Sequence, residues 1–537
     1  MPCISHYFAM RKTLALCAGS LVLASSSWAQ TPAAPNAEPE PGLWAFEGEL
    51  NGQPGRSLQI DTEQGRALIV SYLGYRADGT SLFLQASGLR SGDSSAFRGP
   101  LQEFRNGPPV IGGGAGNGEV AGSPGETQLT FDSPTSGTVT LPGDAARRIS
   151  RFTYGPMVIG SSSGLYTLQT YSSRLNPTPT ASYRIEMRSG NFLMSQLTTS
   201  DGRMCSYSGT YQKRGQGIES DGTASCVDPS GTQVRSPYRI EQFAVDSYGL
   251  ATGTLRKDGI ESFFMGACHA GAIFLGSPAT CASSSSRTDV MVQPGIWAFD
   301  DELNGRPGRS LQIDTQNGSR ALVLSYLGYR TDGSSLFMQG STANRDTSNQ
   351  FTVPLTEFRN GPVIGGAIRP ADVASTVGAA TIVFDSPTTG TITLPFDTPR
   401  RISRFRYEDH LVRFNKAFSA QVYPFWSPTG TATSIDMVVR DNVFRMDTRT
   451  ENPSVACEYR GTYRLSGEGL DSEGTRTCTA STGTTSEAYR AEQFTVDRNG
   501  LLRGMMQNAS DGGGRYIYLG ACWNGRLCTQ PELEQPR

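Results

Sequence analysis

Lysine is nearly missing from this chain: Lys12, Lys213, Lys257 and Lys416 are the whole set in 537 residues. The 47 basic residues, almost all Arg, are offset by 49 acidic ones, for a formal net charge of −2. That balance excludes bulk electrostatic attraction to nucleic acid or to an anionic membrane. Histidine occurs three times and no Cys-x-x-Cys pair is present, so a structural zinc site lacks its usual ligand spacing. Beyond the N-terminus no apolar run is long enough to span a bilayer. Phe263 to Leu275 comes nearest, and Gly266, His269 and Gly271 interrupt it. Also missing is any stretch with a helical apolar period and matching caps.

What is abundant is Gly (62) and Pro (31), with many Ser and Thr and only 18% charged residues. The N-terminus reads as an export signal. Met10-Arg11-Lys12 is a positive start, Thr13 to Ala24 a short apolar run, and Ser27-Trp28-Ala29 a small-residue cut site before Gln30. Leu16 ahead of Cys17 argues for cleavage over lipid anchoring. Gln30 to Glu40 is expected to be a flexible leader. The mature chain is thus expected in the periplasm or outside the cell, with no membrane span and no cofactor.

The chain is a duplication. Pro41 to Thr62, PGLWAFEGELNGQPGRSLQIDT, returns at Pro294 to Thr315 with all but four positions identical. FDSPTSGTVTLP (Phe131–Pro142) returns as FDSPTTGTITLP (Phe384–Pro395), and RRISRF (Arg147–Phe152) recurs at Arg400–Phe405. Four modules follow: a front module at 41–155, a cysteine module at 156–281, a linker at 282–293, then a front module at 294–407, a cysteine module at 408–528 and a polar tail at 529–537. Arg56–Asp61 alternates as a half-buried strand, and Ala67–Tyr75 is dense in β-branched and aromatic residues. Asp78-Gly79 then turns the chain into a returning strand at Ser81–Ala86. Short strands at this spacing, with Gly and Pro between them, predict an all-β fold of tandem antiparallel sandwiches or small barrels. Ile111 to Gly125 reads as a Gly-rich loop.

Eight cysteines remain after signal removal, in two sets of four. Cys205 and Cys226 are 21 residues apart, and so are Cys457 and Cys478. The equal spacing favours these as bridges, leaving Cys268 with Cys281 and Cys522 with Cys528, although four cysteines allow three pairings. The front copies are more alike than the cysteine copies, which marks them as the more constrained, by packing or by a binding face.

Several of these phrases resemble a family of bacterial exported β-repeat proteins. Its repeat opens on Pro-Gly-x-Trp, here Pro41-Gly42-Leu43-Trp44, and turns at Asp-Gly, here Asp78-Gly79. It ends in a phrase matched by Gly378 to Phe384 and on to Arg404-Phe405. A companion module opens on Cys-x-Tyr-x-Gly-x-Tyr, found at Cys205–Tyr211 and Cys457–Tyr463. Ala45 departs from the second Trp common at that place. The resemblance implies a β fold and export and supplies no catalytic residue.

Catalytic patterns are weak. Gly160 to Gly164 fits a nucleophile elbow, but it lies in a Ser-Gly linker, and neither His269 nor His410 recurs in the other half. Repeated carboxylates (Glu49/Glu302, Asp61/Asp314, Glu103/Glu357, Glu241/Glu492) could serve a secreted hydrolase only if two flank one bond. Solvated strand faces explain them more simply. The repeated aromatics and cations Trp44, Tyr75, Arg56, Trp297, Tyr329 and Arg309 are candidate ligand contacts, stacking on an envelope glycan or gripping a protein; a filled core is the plainer use of the rings. Arg105-Asn106-Gly107-Pro108 recurs at Arg359–Pro362 as an anion loop or a tight turn. The expected function is a non-catalytic binding or scaffold protein of the cell envelope.

Overall fold

The chain is described by a computed structural model. It covers residues 37–536 apart from 64, 91–94, 111–115, 155–162, 173–180, 198–201, 247–248, 270–272, 275–276, 279–289, 317–320, 344–348, 425–429 and 510–513. The expected export signal, most of the leader, Gly160 to Ser162, Cys281 and residues 282–289 of the linker lie outside the described residues.

Four closed antiparallel barrels of eight strands follow one another. The first contains β1 (Gly42–Phe46), β2 (Ser57–Asp61), β3 (Ala67–Tyr75), β4 (Ser81–Leu89), β5 (Ala96–Arg105), β6 (Glu119–Ser133), β7 (Ser136–Thr140) and β8 (Arg147–Arg151). The second runs from Gly164–Ser172 to Ile260–His269, the third from Gly295–Phe299 to Arg400–Arg404, the fourth from Ala417–Pro424 to Arg515–Cys522. Each strand pairs with its sequence neighbours, and the last closes on the first. Closure, not a sandwich, removes the edges of these short sheets.

The barrel interiors are filled. Trp44, Leu58, Val70, Tyr72, Phe97 and Phe131 form the first core, and Trp297, Leu311, Leu324, Tyr326 and Phe384 the equivalent third. The indole Nε1 of Trp44 donates to the Glu40 carbonyl at 3.0 Å, and that of Trp297 to the Gln293 carbonyl at 3.1 Å. These bonds fix the segment preceding each repeat under its barrel. The leader is therefore tied from Ala37 onward: Ala37 joins the first core, and Glu38 pairs with Arg90 and Arg498. The tail is tied too, because the short helix Gln530–Leu533 buries Leu533 in the fourth core.

The two front barrels pack face to face. In β3, Leu68, Val70 and Tyr72 point into the barrel while Leu73 and Tyr75 point out. The outward set is covered by Leu327, Tyr329 and Phe337 of the third barrel. Tyr75 meets Phe337 edge-on at 5.9 Å, and Phe83 meets Tyr329 at 6.1 Å. This explains the apolar density of ALIVSYLGY: both faces of the strand are buried. Ser71 and Ser325, also outward, accept Gln312 Nε2 (3.2 Å) and Gln59 Nε2 (3.1 Å) from the opposite barrel.

Arms exchange across this face. The stretch expected as a Gly-rich loop becomes strand from Glu119, and β5 and β6 extend past the barrel as a two-stranded ribbon. Its base carries Asn106, held at φ 61, whose N–H donates to the Gly333 carbonyl at 2.8 Å; Asn360, also φ 61, donates to Gly79 at 2.8 Å. Gly118 and Ala371 make a second reciprocal pair, to the carbonyls of Pro307 (2.7 Å) and Pro54 (2.8 Å). The repeated Arg-Asn-Gly-Pro loop is this clasp. A Cβ at Gly107 would stand 1.9 Å from the Tyr329 ring, and one at Gly361 2.0 Å from the Tyr75 ring.

The cysteine barrels also face each other. Tyr171, Leu250 and Met265 pack on Tyr423, Ile517 and Leu519, and Tyr171 Oη donates to the Ser419 carbonyl at 3.3 Å. Cys205 and Cys226 stand directly opposite on adjacent strands, with Cα atoms 4.1 Å apart; Cys457 and Cys478 match them at 4.0 Å. Cys522 bonds Cys528, and Cys268 is also disulfide-bonded. Gly107→Ala or Gly361→Ala should lower stability by about 1–3 kcal/mol through overpacking against the facing tyrosine. Urea unfolding of each variant checks this, with Gly48→Ala as the control without contact, since a Cβ there meets nothing within 4 Å.

Candidate functional site

The six candidate ligand contacts lie below the surface. Trp44 and Trp297 are 0% exposed in the cores, and Tyr75 (2%) and Tyr329 (1%) are sealed between the front barrels. No exposed aromatic row is built from them, because each strand that carries them is covered on both faces. Arg56 is held by Glu49 (2.8 Å) and Asp144 (3.2 Å) over the Phe46 ring. Arg309 is held by Glu302 and Asp397 over Phe299. The other repeated carboxylates are equally engaged. Glu103 pairs with Arg76, and Glu357 with Arg330, at the front-barrel face. Glu241 pairs with Arg239 and Arg256, and Glu492 with Arg490. Asp78 and Asp332 accept the N–H two residues on, at 2.9 Å each, as turn residues do.

A buried ion pair forms where three repeated phrases converge. Asp61 closes RSLQID, Gly295 opens Pro-Gly-x-Trp, and Arg404 belongs to RRISRF. Arg404 grips Asp61 with two bonds, Nη2–Oδ1 at 2.6 Å and Nη1–Oδ2 at 2.9 Å, and both side chains are 0% exposed. Asp61 also accepts the Ile296 N–H at 2.8 Å. The second joint repeats this with Arg151 and Asp314 at 2.5 and 2.7 Å, and with the Leu43 N–H at 3.0 Å. Each pair joins the first barrel to the third. Gly42 and Gly295 stand at φ 125 and 124. A Cβ on Gly42 would lie 2.4 Å from Arg151 Nη2, so the glycine of Pro-Gly-x-Trp makes room for the ion pair. The repeat RRISRF is plain in the sequence, but nothing local to it gives its third arginine a partner. The available signal was the alternation that puts Arg151 on the buried face with Ile149.

The two joints differ in charge. Around Arg404 stand Asp61, Glu468 (Oε1 at 3.8 Å) and Glu63, which accepts the backbone N–H of Tyr407 (3.2 Å) and Glu408 (2.8 Å). The places of Glu63 and Glu468 are taken at the other joint by Gln316 and Gln216, and there Glu40 stands 3.6 Å from Arg151. Glu40's own counterpart is Gln293, which accepts the Glu468 N–H at 3.2 Å. One joint thus holds three carboxylates about one guanidinium, the other two. Burial pushes the Glu63 carboxyl up to about 8 and that of Glu468 up to about 7. Burial likewise raises Glu40.

A second difference sits at the outer ends of the cysteine barrels, beside the matched disulfides. In the fourth barrel the row Tyr459, Arg476, Glu487 runs across three strands. Arg476 lies 5.6 Å over the Tyr459 ring and bonds Glu487 at 2.7 Å, with side-chain exposures of 21% and 14%. The same row in the second barrel is Tyr207, Ala224, Ser236. Among the described residues no cluster of three metal-ligating side chains occurs.

Raised carboxyl pKa values mean that the folded chain binds protons the unfolded chain releases. Stability should fall as pH rises from the ordinary glutamate value of 4.5 to about 8, and level off above. Glu63→Gln combined with Glu468→Gln, the residues of the other joint, should flatten this slope and raise the melting midpoint at pH 8. Thermal melts between pH 5 and about pH 9 check the sign.

No family model matches the chain, and no curated protein matches it. Among solved structures, the isotype 1 transferrin binding protein B from serogroup B Neisseria meningitidis aligns at 10% identity. The alignment covers 90% of this chain and 88% of that one, with a TM-score of 0.16.

Proposed function

We propose that the protein is an exported, non-catalytic binding or scaffold protein of the cell envelope that presents the outer ends of its cysteine barrels to a partner. The observation that carries this is the use made of the repeated charged side chains. In both halves they pair with one another, two Arg–Asp pairs joining the front barrels and the others bracing single barrels, and the barrel interiors are filled by core side chains. Away from the buried joints the halves also differ at the outer ends, where Arg476 and Glu487 in one barrel stand in the places of Ala224 and Ser236 in the other. Disulfides beside both rows suit an oxidising compartment and hold those ends stiff. A stiff end with one copy charged and one neutral fits a surface that recognises a protein or glycan asymmetrically.

The test is capture of labelled cell-envelope fractions, glycan and protein separately, on the immobilised full mature chain. Binding should be measurable, and Arg476→Ala with Glu487→Ala should weaken it by about tenfold (about 1.4 kcal/mol) without moving the melting midpoint by more than a few degrees. Turnover of envelope polysaccharide or peptide by the wild-type chain would overturn the reading in favour of a hydrolase. Binding indifferent to the double substitution would remove the outer end of the fourth barrel as its site.

A further inference from the structure

The two matched disulfides are alike in backbone and unlike in charge. Cys457 and Cys478 lie directly opposite on the strands Ser454–Ser466 and Gly469–Ala480. Each stands a few residues from a hairpin turn, closed by the pairs Glu451 with Ser454 and Ala480 with Gly483. The bridge is therefore near the rim of the barrel. Cys205 and Cys226 hold the same places in the second barrel.

Arg476 lies two residues before Cys478, so its side chain leaves the same face of the strand. Its Nη2 donates to Cys457 Sγ at 3.6 Å, and its Nη1 to Glu487 at 2.7 Å. Its buried Nε makes no hydrogen bond. A disulfide sulfur is neutral and a weak acceptor, so this cation is aimed at an atom that gives it little while the bridge is closed. The same sulfur becomes a strong acceptor once it carries charge. A fixed donor directed at the place where charge will develop lowers the barrier to developing it. The twin bridge has no such donor, because Ala224 stands in the place of Arg476 and Ser236 in that of Glu487.

We propose that Cys457–Cys478 is a thiol–disulfide exchange site in which Arg476 makes Cys457 the leaving sulfur. The co-reactant is a dithiol, either a small molecule or a protein of the Cys-x-x-Cys type. Its thiolate attacks Cys478 Sγ. A new S–S bond forms there as the bond to Cys457 breaks, and the electron pair leaves on Cys457 as a thiolate beside the guanidinium. The second sulfur of the dithiol then attacks the mixed disulfide. This closes the disulfide of the co-reactant and releases Cys478, which takes a proton from water. Two electrons pass from the dithiol to the bridge, and the outer end of the fourth barrel loses its cross-link. The exchange is independent of the partner surface proposed above and is read with no partner present.

The test is timed reduction of the full mature chain by dithiothreitol, with iodoacetamide alkylation and peptide mass spectrometry to locate each free thiol. Cys457 and Cys478 should be alkylated about tenfold sooner than Cys205 and Cys226. Exposure alone predicts the reverse order, since Cys205 is half-buried while Cys457 and Cys478 are both buried. With reduced glutathione and an early quench, glutathione should sit on Cys478 and the alkyl group on Cys457. Arg476→Gln should abolish the advantage, Arg476→Lys should keep most of it, and Glu487→Gln, which removes the countercharge, should increase it. Ala224→Arg should speed opening of the Cys205–Cys226 bridge, and covers the case in which the Arg476 variants fail to fold. A wild type whose Cys205–Cys226 bridge opens first or equally fast overturns the proposal. So do rates unmoved by Arg476→Gln and Ala224→Arg, or glutathione found on Cys457.

Discussion

Two buried arginine–aspartate pairs, exchanged between the front barrels, are the constraint on which the rest of the molecule hangs. A guanidinium and a carboxylate withdrawn from water are tolerable only when geometry and hydrogen bonds are nearly complete. Here they are: each aspartate accepts two guanidinium bonds and a backbone N–H, and Arg404 also donates to the carbonyls of Ile296 and Phe405. The same charges are costly without their partners, by about 3–5 kcal/mol for a buried pair broken on one side. Neither half can bury its own arginine alone, so each front barrel is incomplete without the other. The duplicated chain behaves as a dimer of its two halves held in one covalent strand.

This arrangement accounts for the uneven resemblance between the copies. A front barrel must fit the other front barrel over β3, β4, the ribbon base and both joints. Any change on that face is met twice, once in each half. The cysteine barrels meet each other over one face, and the Tyr459–Arg476–Glu487 row lies away from it. Drift is tolerated there, and Arg476 and Glu487 appear in one copy. The same freedom reaches the joints where charge is not needed for grip. Glu63 and Glu468 stand where the other joint has glutamines, and burial pushes both carboxyls up, to about 8 and about 7.

Much of the fold was legible in the sequence because strand signals are local. Alternation in Arg56–Asp61, the Asp-Gly turn at 78–79 and the equal cysteine spacing each specify a neighbour a few residues or one hairpin away. The sites were less legible because they depend on what covers a strand from outside. Tyr75 has the composition of a platform residue, and nothing in its neighbourhood says that Phe337 will lie across it. Gly42 and Arg151 are over a hundred residues apart and meet an aspartate from the other half, so no window of sequence brings the three together. The Arg-Asn-Gly-Pro repeat shows the same limit. Its asparagine marks a left-handed turn, and the clasp it forms on the opposite hairpin can be seen only when both copies are folded.

The account turns on whether Arg404 and Asp61 act as one unit across the two halves. A double-mutant cycle with Arg404→Gln and Asp61→Asn, read by urea unfolding of the full mature chain, measures this directly. The predicted result is a coupling of about 2–3 kcal/mol, with the double variant far more stable than the sum of the singles implies. Additive losses, within about 0.5 kcal/mol, would mean that the barrels hold together without this pair.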